Sequence, residues 1–273
     1  MPGMGPPGEP SVLVMPHVVR SGETDARGRL SLVAVCELLQ ESAGRHAVAL
    51  GVGADVLSPR GLAWVLVEWR VAMERYPVWR DELTVETWPS DLSERFATRD
   101  FRLVSPDRGE IGRATSHWAI LDVARRRPVR MPDLVRALPR PARGRALPGG
   151  LSRLAAPDPA ETVLEVAVRW TDLDRNGHVN NLSYVAWTVE SVPREILHEA
   201  TPRELAISFR SECRSDAAVA VQTARDAVES VGGREVFRHR IVERGTGREL
   251  TLARRRGRWH SSVVRQLYSQ TTC

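Results

Sequence analysis

From Ala167 to Pro193 the chain reads A-V-R-W-T-D-L-D-R-N-G-H-V-N-N-L-S-Y-V-A-W-T-V-E-S-V-P, its densest concentration of polar chemistry. Asp174, Asn176 and His178 stand at alternate positions, so an extended or turning backbone presents all three side chains toward one side. Asn180, Asn181 and Ser183 follow, residue types that cap helices, and Leu182, Val185, Ala186 and Val189 recur at helical spacing. The trio is therefore expected at a helix N-terminus. Unpaired backbone N–H groups and the positive end of the helix dipole suit a carbonyl oxygen that gains negative charge during reaction. Pro193 should stop or kink that helix. Two metal readings of the same residues are weaker. Asp172-x-Asp174-x-Asn176-Gly177 matches the start of a calcium loop, but a serine, Ser183, stands where the closing bidentate glutamate belongs, and the preceding segment is strand-like. No second histidine or cysteine lies at ligand spacing from His178, so no metal is assigned.

The 273 residues suffice for two domains, and 42% hydrophobic with 27% charged residues is ordinary for a globular protein. No apolar run reaches the roughly 18 residues that a membrane span needs. The opening M-P-G-M-G-P-P-G-E-P lacks a basic start and an apolar core, so no export signal is expected there. Cys36, Cys213 and Cys273 are odd in number and far apart, which fits a reducing cytoplasm and neither a disulfide framework nor a zinc site. The net charge is +5, and all 39 basic residues are arginine. Arg125, Arg126, Arg127, Arg130, Arg136, Arg140, Arg143 and Arg145 crowd one region against the single carboxylate of Asp133, a candidate docking surface for an acidic partner. Nucleic acid is not that partner, since no aromatic-interleaved strand or recognition-helix pattern accompanies the charge.

Outward from the opening stretch, the order of elements occurs twice. Leu30 to Leu50 reads as a helix buried around most of its first half. From Leu62 four strands follow, L-A-W-V-L-V-E-W-R-V-A-M, L-T-V-E-T-W, F-A-T-R-D-F-R-L-V and G-R-A-T-S-H-W-A-I-L-D-V, separated by turn residues such as Tyr76-Pro77 and Ser105-Pro106-Asp107. Residues 138–160, with five prolines and three glycines, read as a linker. A strand at Thr162 to Trp170, the opening stretch with a helix to about Val192, and strands near 205–212, 217–227, 235–243 and 248–258 then repeat the pattern. A shift of 149 positions, the offset from Asp25 to Asp174, also pairs Gly28 with Gly177 and Glu41-Ser42 with Glu190-Ser191. It sets Arg27 against Asn176 and Arg29 against His178, so the first copy keeps backbone cues and lacks the reactive side chains. Aligning Trp69-Arg70 with Phe209-Arg210 sets Ala72 opposite Glu212.

Trp170 to Asn181, W-T-D-L-D-R-N-G-H-V-N-N, resembles without a gap the signature of the plant-type fatty acyl-ACP thioesterases. Family-like stretches recur at Arg75-Tyr76-Pro77-Val78-Trp79, at Arg113-Ala114-Thr115-Ser116-His117-Trp118 and at Phe209-Arg210-Ser211-Glu212-Cys213, and the resemblance spans about Val18 to Trp259. It implies an α+β fold of two tandem hotdog domains, each an antiparallel sheet around a long central helix. The expected organisation is a lead-in at 1–10, a chain-binding domain at 11–137, the linker at 138–160, a catalytic domain at 161–265 and a tail at 266–273. The implied activity is cofactor-free hydrolysis of fatty acyl-ACP in the cytoplasm, with acyl carrier protein as partner and a homodimer as a candidate assembly. Asp174, Asn176, His178 and Glu212 are the implied catalytic set. Cys213 is the rival to Glu212 as the reactive group of the R-x-E-C stretch; strand alternation sends the two to opposite faces, and the carboxylate is preferred. Trp64 and Trp69, with Trp88 and Trp118 nearby, are candidate walls of an acyl tunnel, against the plain reading as core. The alternatives are an acyl-CoA thioesterase of the same fold and an acyl-binding hotdog protein without activity, which would need a tunnel but no reactive trio.

Overall fold

A computed structural model describes residues 11–259. The lead-in at 1–10, the end of the second domain at 260–265, the tail at 266–273 and Cys273 lie outside the described residues. The chain divides between Leu151 and Ser152 into two units.

The first unit opens with strand β1, Leu13–Val18, and helix α1, Leu32–Ala49. Ser31 caps α1 through a bond from the Ala34 N–H (3.1 Å), and Gly51 at φ +69° ends the turn that follows, a conformation glycine adopts without strain. Leu32, Val35, Cys36, Leu38 and Leu39 are all buried, which explains a helix apolar on several sides. After the short α2, Ala54–Leu57, come β2, Leu62–Met73; β3, Glu82–Leu92; β4, Ala97–Ser105; β5, Gly109–Asp122; and β6, Arg127–Val129; a one-turn α3, Asp133–Arg136, follows. The sheet is antiparallel in the order β1-β3-β4-β5-β2, with β6 on β5. Its core includes fully buried Trp69, Trp88, Phe101 and Leu103, aromatic members of which cost about 3–5 kcal/mol each to truncate to alanine.

The second unit repeats the plan with β7, Thr162–Ala167; α4, Asn181–Glu190; α5, Arg194–Glu199; β8, Ala200–Phe209; β9, Ala218–Arg225; β10, Arg234–Glu243; and β11, Glu249–Trp259. Its antiparallel order is β7-β9-β10-β11-β8. Tyr184, Val185 and Trp187 of α4 are buried, as are Ile207, Val221, Ile241 and Leu252 of the sheet. Here the central helix is short. It ends at Glu190, and Pro193, which cannot donate a helical hydrogen bond, starts α5 afresh.

Residues 139–151 have no regular structure, yet they are bound to the first unit. Arg143 donates to Glu86 (2.7 Å), Arg145 to the fully buried Asp100 (2.9 Å), and Arg70 to the Pro148 carbonyl (2.6 Å); Ala146 packs with Val12 and Trp88. Of the arginine-rich stretch, Arg143 and Arg145 are engaged inside the unit, whereas Arg125 and Arg130, 3.6 and 2.6 Å from Asp122 and Glu94, keep 81% and 80% of their side chains exposed.

Candidate active site in the second unit

Asp174 shapes the loop that carries His178. Its Oδ1 accepts the N–H groups of Asn176 (2.8 Å) and His178 (3.1 Å), and its own N–H donates to the His178 carbonyl (2.7 Å). Gly177 sits at φ +74°, where a side chain would strain the turn. The Asn176 amide donates to the other Asp174 oxygen at 3.3 Å. A turn of this kind, aspartate bonding its own downstream backbone, is what Asp-x-Asn-Gly favours locally. The trio therefore does not project together from an extended segment. Asp174 and Asn176 pair within the loop, while His178 turns to a different partner.

That partner is Glu212, with His178 Nε2 3.6 Å from Glu212 Oε2 and both side chains partly open to solvent, 27% and 36%. Glu212, expected within a strand near 205–212, lies beyond it, because β8 stops at Phe209. The Leu250 carbonyl accepts both the Arg210 N–H (2.8 Å) and the Ser211 N–H (3.3 Å), which turns the chain out of the ladder. The following residues run beside the His178 loop, joined by Val179 N–H to the Cys213 carbonyl (2.9 Å) and by a bridge between His178 and Arg214. Alternation along a strand thus does not separate Glu212 from Cys213; the loop does. Cys213 is fully buried, its thiol 3.6 Å from the Arg214 carbonyl, and burial together with the Glu243 charge pushes that thiol above its ordinary range. Behind the loop, Asn180 caps α4 by accepting the Leu182 N–H at 3.0 Å.

The first unit builds the same loop with different side chains. Asp25 Oδ1 accepts the N–H groups of Arg27 (2.9 Å) and Arg29 (3.1 Å), Gly28 has φ +71°, and Leu30 N–H donates to the Pro77 carbonyl (2.8 Å) as Val179 does to Cys213. Pro77 is thus the counterpart of Cys213, and Tyr76 that of Glu212. The alignment that set Ala72 opposite Glu212 is corrected, since Ala72 lies inside β2. Where the second unit places histidine near glutamate, the first places the Arg29 guanidinium 5.8 Å from the Tyr76 ring centre and pairs it with Asp25 (2.8 Å).

Trp64 and Trp69 both belong to the core of the first unit. Val67 is an extra residue in β2, a bulge that brings the two tryptophans, an odd number of positions apart, onto one face. Trp69 is fully buried; Trp64 donates to the Val52 carbonyl (2.8 Å) and meets Trp118 edge-on at 6.5 Å. A polar surface cleft of about 330 Å³ lined by Arg75, Tyr76, Arg80, Arg108 and Ile111 includes neither. Among the described residues no cluster of three metal-binding side chains occurs.

Two antiparallel units with the same loop, one with His178 and Glu212 at the facing positions and the other with Arg29 and Tyr76 there, define a tandem hotdog protein with one candidate active site. The family model of the acyl-ACP thioesterase N-terminal domain matches residues 11–138, and that of the C-terminal domain matches residues 155–259. The chain is 30% identical over 268 residues to a chloroplastic acyl-[acyl-carrier-protein] hydrolase of Cuphea viscosissima, an alignment covering 90% of this chain and 65% of that one. It is 32% identical over 216 residues to oleoyl-acyl carrier protein thioesterase 2 of Arabidopsis thaliana, covering 73% and 59%. The solved 12:0-ACP thioesterase from Umbellularia californica superposes with TM-score 0.81 at 30% identity, over 91% of this chain and 94% of that one. An acyl-ACP thioesterase from Bacteroides thetaiotaomicron has the same fold, with TM-score 0.79 at 21% identity, over 90% and 98%. The chain belongs to the acyl-ACP thioesterase family. It spans less than two thirds of the length of the two plant relatives.

Proposed function

We propose that this chain hydrolyses the thioester between a fatty acyl group and acyl carrier protein. The observation that carries the reading is the His178–Glu212 approach of 3.6 Å on the loop of the family signature. That separation is longer than a hydrogen bond, but catalytic contacts commonly tighten on substrate binding or run through one water. In the proposed reaction Glu212, with His178 beside it, accepts a proton from water, whose oxygen attacks the carbonyl carbon. The carbon–sulfur bond then breaks, and the proton passes to the leaving thiolate, giving a free acid and a thiol. Asn176, steadied by Asp174, holds the carbonyl oxygen or the water. Water and these side chains are the only reagents.

The carrier-protein substrate is supported by the names of the relatives, which are acyl carrier protein hydrolases and thioesterases. No described helix is long and apolar enough to cross a membrane, and a cytoplasmic location is the reading we put forward. The test is thiol release from matched acyl-ACP and acyl-CoA. Faster turnover of acyl-ACP is expected, faster acyl-CoA turnover would move the assignment to the coenzyme, and acyl binding without release would remove the catalytic claim.

A further inference from the structure

We propose that Asp172, clamped by Arg169, is a positioning residue that sets His178 against Glu212; this rests on the hydrolytic reading above. The Asp172 carboxylate is almost fully enclosed, with 4% of the side chain exposed. Arg169 grips it with both arms of its guanidinium, Nε to Oδ2 (3.1 Å) and Nη2 to Oδ1 (3.0 Å), and adds its backbone N–H (2.8 Å). The Asp172 carbonyl accepts the Asn180 N–H (2.8 Å) and the Ser183 hydroxyl (3.2 Å). One residue thereby ties the chain leaving β7, the mouth of the His178 loop and the first turn of α4. The bridge between Leu173 and Val179 closes the loop just inside that tie.

His178 is thus located by two anchors. One is the Cys213 carbonyl, which accepts the Val179 N–H and is main chain, so substitution at Cys213 leaves it in place. The other is the Asp172 carbonyl, which accepts the Asn180 N–H and the Ser183 hydroxyl and whose own placement depends on a side chain, the Asp172 carboxylate held by Arg169. The first unit supports this independently. Glu23 occupies the same position, accepting the Arg20 N–H (2.7 Å) and lying 2.8 Å from His17, while its carbonyl accepts the Ser31 N–H (2.8 Å). The anchoring acid is present in both copies although the residues at the His178 and Glu212 positions differ, so its work is to hold the loop. Burial alone would push the Asp172 carboxyl up, but the Arg169 guanidinium and N–H more than offset this and hold it below the usual range. The clamp is therefore charged across the neutral pH range, and a charged bidentate pair is the strong kind of hydrogen bond.

The test uses Asp172→Asn and Arg169→Gln, the latter altering a side chain that is 68% exposed and leaving the carboxylate in place. Displacing a catalytic group by about an ångström costs up to about 100-fold, so each variant should lower kcat by about 10- to 100-fold, with KM and Tm near wild type. Arg169→Lys, which keeps the charge and loses the fork, should recover part of the loss. The His178 ring resonances, followed by NMR, should move in Asp172→Asn. Unchanged kcat in folded variants, or kcat, KM and Tm falling together as from general destabilisation, overturns the proposal. If the wild type releases no thiol at all, the hydrolytic reading fails instead; unmoved His178 ring resonances then also overturn the positioning role.

Discussion

Cys213→Ala and Glu212→Gln separate two ways of opening a thioester, and the structure predicts opposite outcomes. A cysteine nucleophile acts as the thiolate. At Cys213 burial and the Glu243 charge both oppose that state, and the sulfur has no exposed surface. Each unit by which a thiol is raised removes roughly tenfold of its thiolate at fixed pH. The carbonyl that holds Val179 survives in alanine. Cys213→Ala should therefore keep at least about a tenth of wild-type turnover, and removing one buried group near the size of a methylene should cost on the order of 1 kcal/mol of stability. Glu212→Gln preserves shape and removes the base, which is worth about 10²- to 10⁴-fold, or roughly 3–5 kcal/mol of barrier at 1.36 kcal/mol per decade. Thiol release measured with a chromogenic disulfide gives the rates, circular dichroism checks the fold, and intact-protein mass spectrometry after substrate mixing looks for an added acyl mass. A folded, inert Cys213→Ala protein, or an acyl group trapped on Cys213, would refute the reasoning and restore the nucleophilic route.

His178→Ala should lower turnover by about 100-fold or more in a folded protein, the scale of a lost acid–base group; near-normal turnover would remove the central assignment. Asp25→Ala, in the copy whose loop holds Arg29 at the His178 position and pairs it with Asp25, should leave turnover within a few-fold of wild type; a large loss with an unchanged melting temperature would show that both loops do chemistry. Stability should decline on acidification, because buried His239 and His117 are held neutral, with pKa values pushed down to about 3 and about 4. The unfolded chain binds those protons from about 6.5 downward, so stability is complete above that pH and is lost as pH falls toward the folded values. His239→Asn should flatten the fall in melting temperature between pH 6 and 4, as roughly followed by calorimetry; an unaltered slope would count against a neutral buried imidazole.

What the sequence disclosed about the site is what is written locally. Asn180 capping α4 is decided within a few residues of chain and reads as a helix start, whereas the turn that Asp174 and Gly177 build, equally local, reads as a joint presentation of three side chains. The restart at Pro193 was likewise local. The other failures are non-local. Glu212 left the predicted strand because Leu250, on another strand, draws the Arg210 and Ser211 amides away from the ladder. β1 escaped notice because Pro16 interrupts a short segment, and it pairs only with β3, at the edge of its sheet, where a proline is tolerated. Arg143 and Arg145 read as free charge because their partners, Glu86 and Asp100, lie 57 and 45 positions away. Tyr76 was missed as the counterpart of Glu212 because the gap between loop and partner strand differs in length between the copies.

The two loops also show how the copies keep one backbone shape while carrying different side chains. The bonds that shape the turn itself run to Asp25 or Asp174 and to main-chain carbonyls, around Gly28 or Gly177 at positive φ, and this arrangement is common to both units. The side chains at the histidine and glutamate positions contribute none of those bonds, so they can change while the turn persists. In the first unit the histidine position holds Arg29, whose charge is matched by Asp25 at 2.8 Å, converting a free aspartate oxygen into an ion-pair partner. In the second unit that oxygen instead receives the Asn176 amide at 3.3 Å, which leaves His178 unencumbered by Asp174 and directed at Glu212. The middle residue of the turn thus differs between the copies in what it gives the aspartate: the Asn176 side-chain amide reaches the second Asp174 oxygen, whereas in the first unit the corresponding oxygen is taken by Arg29.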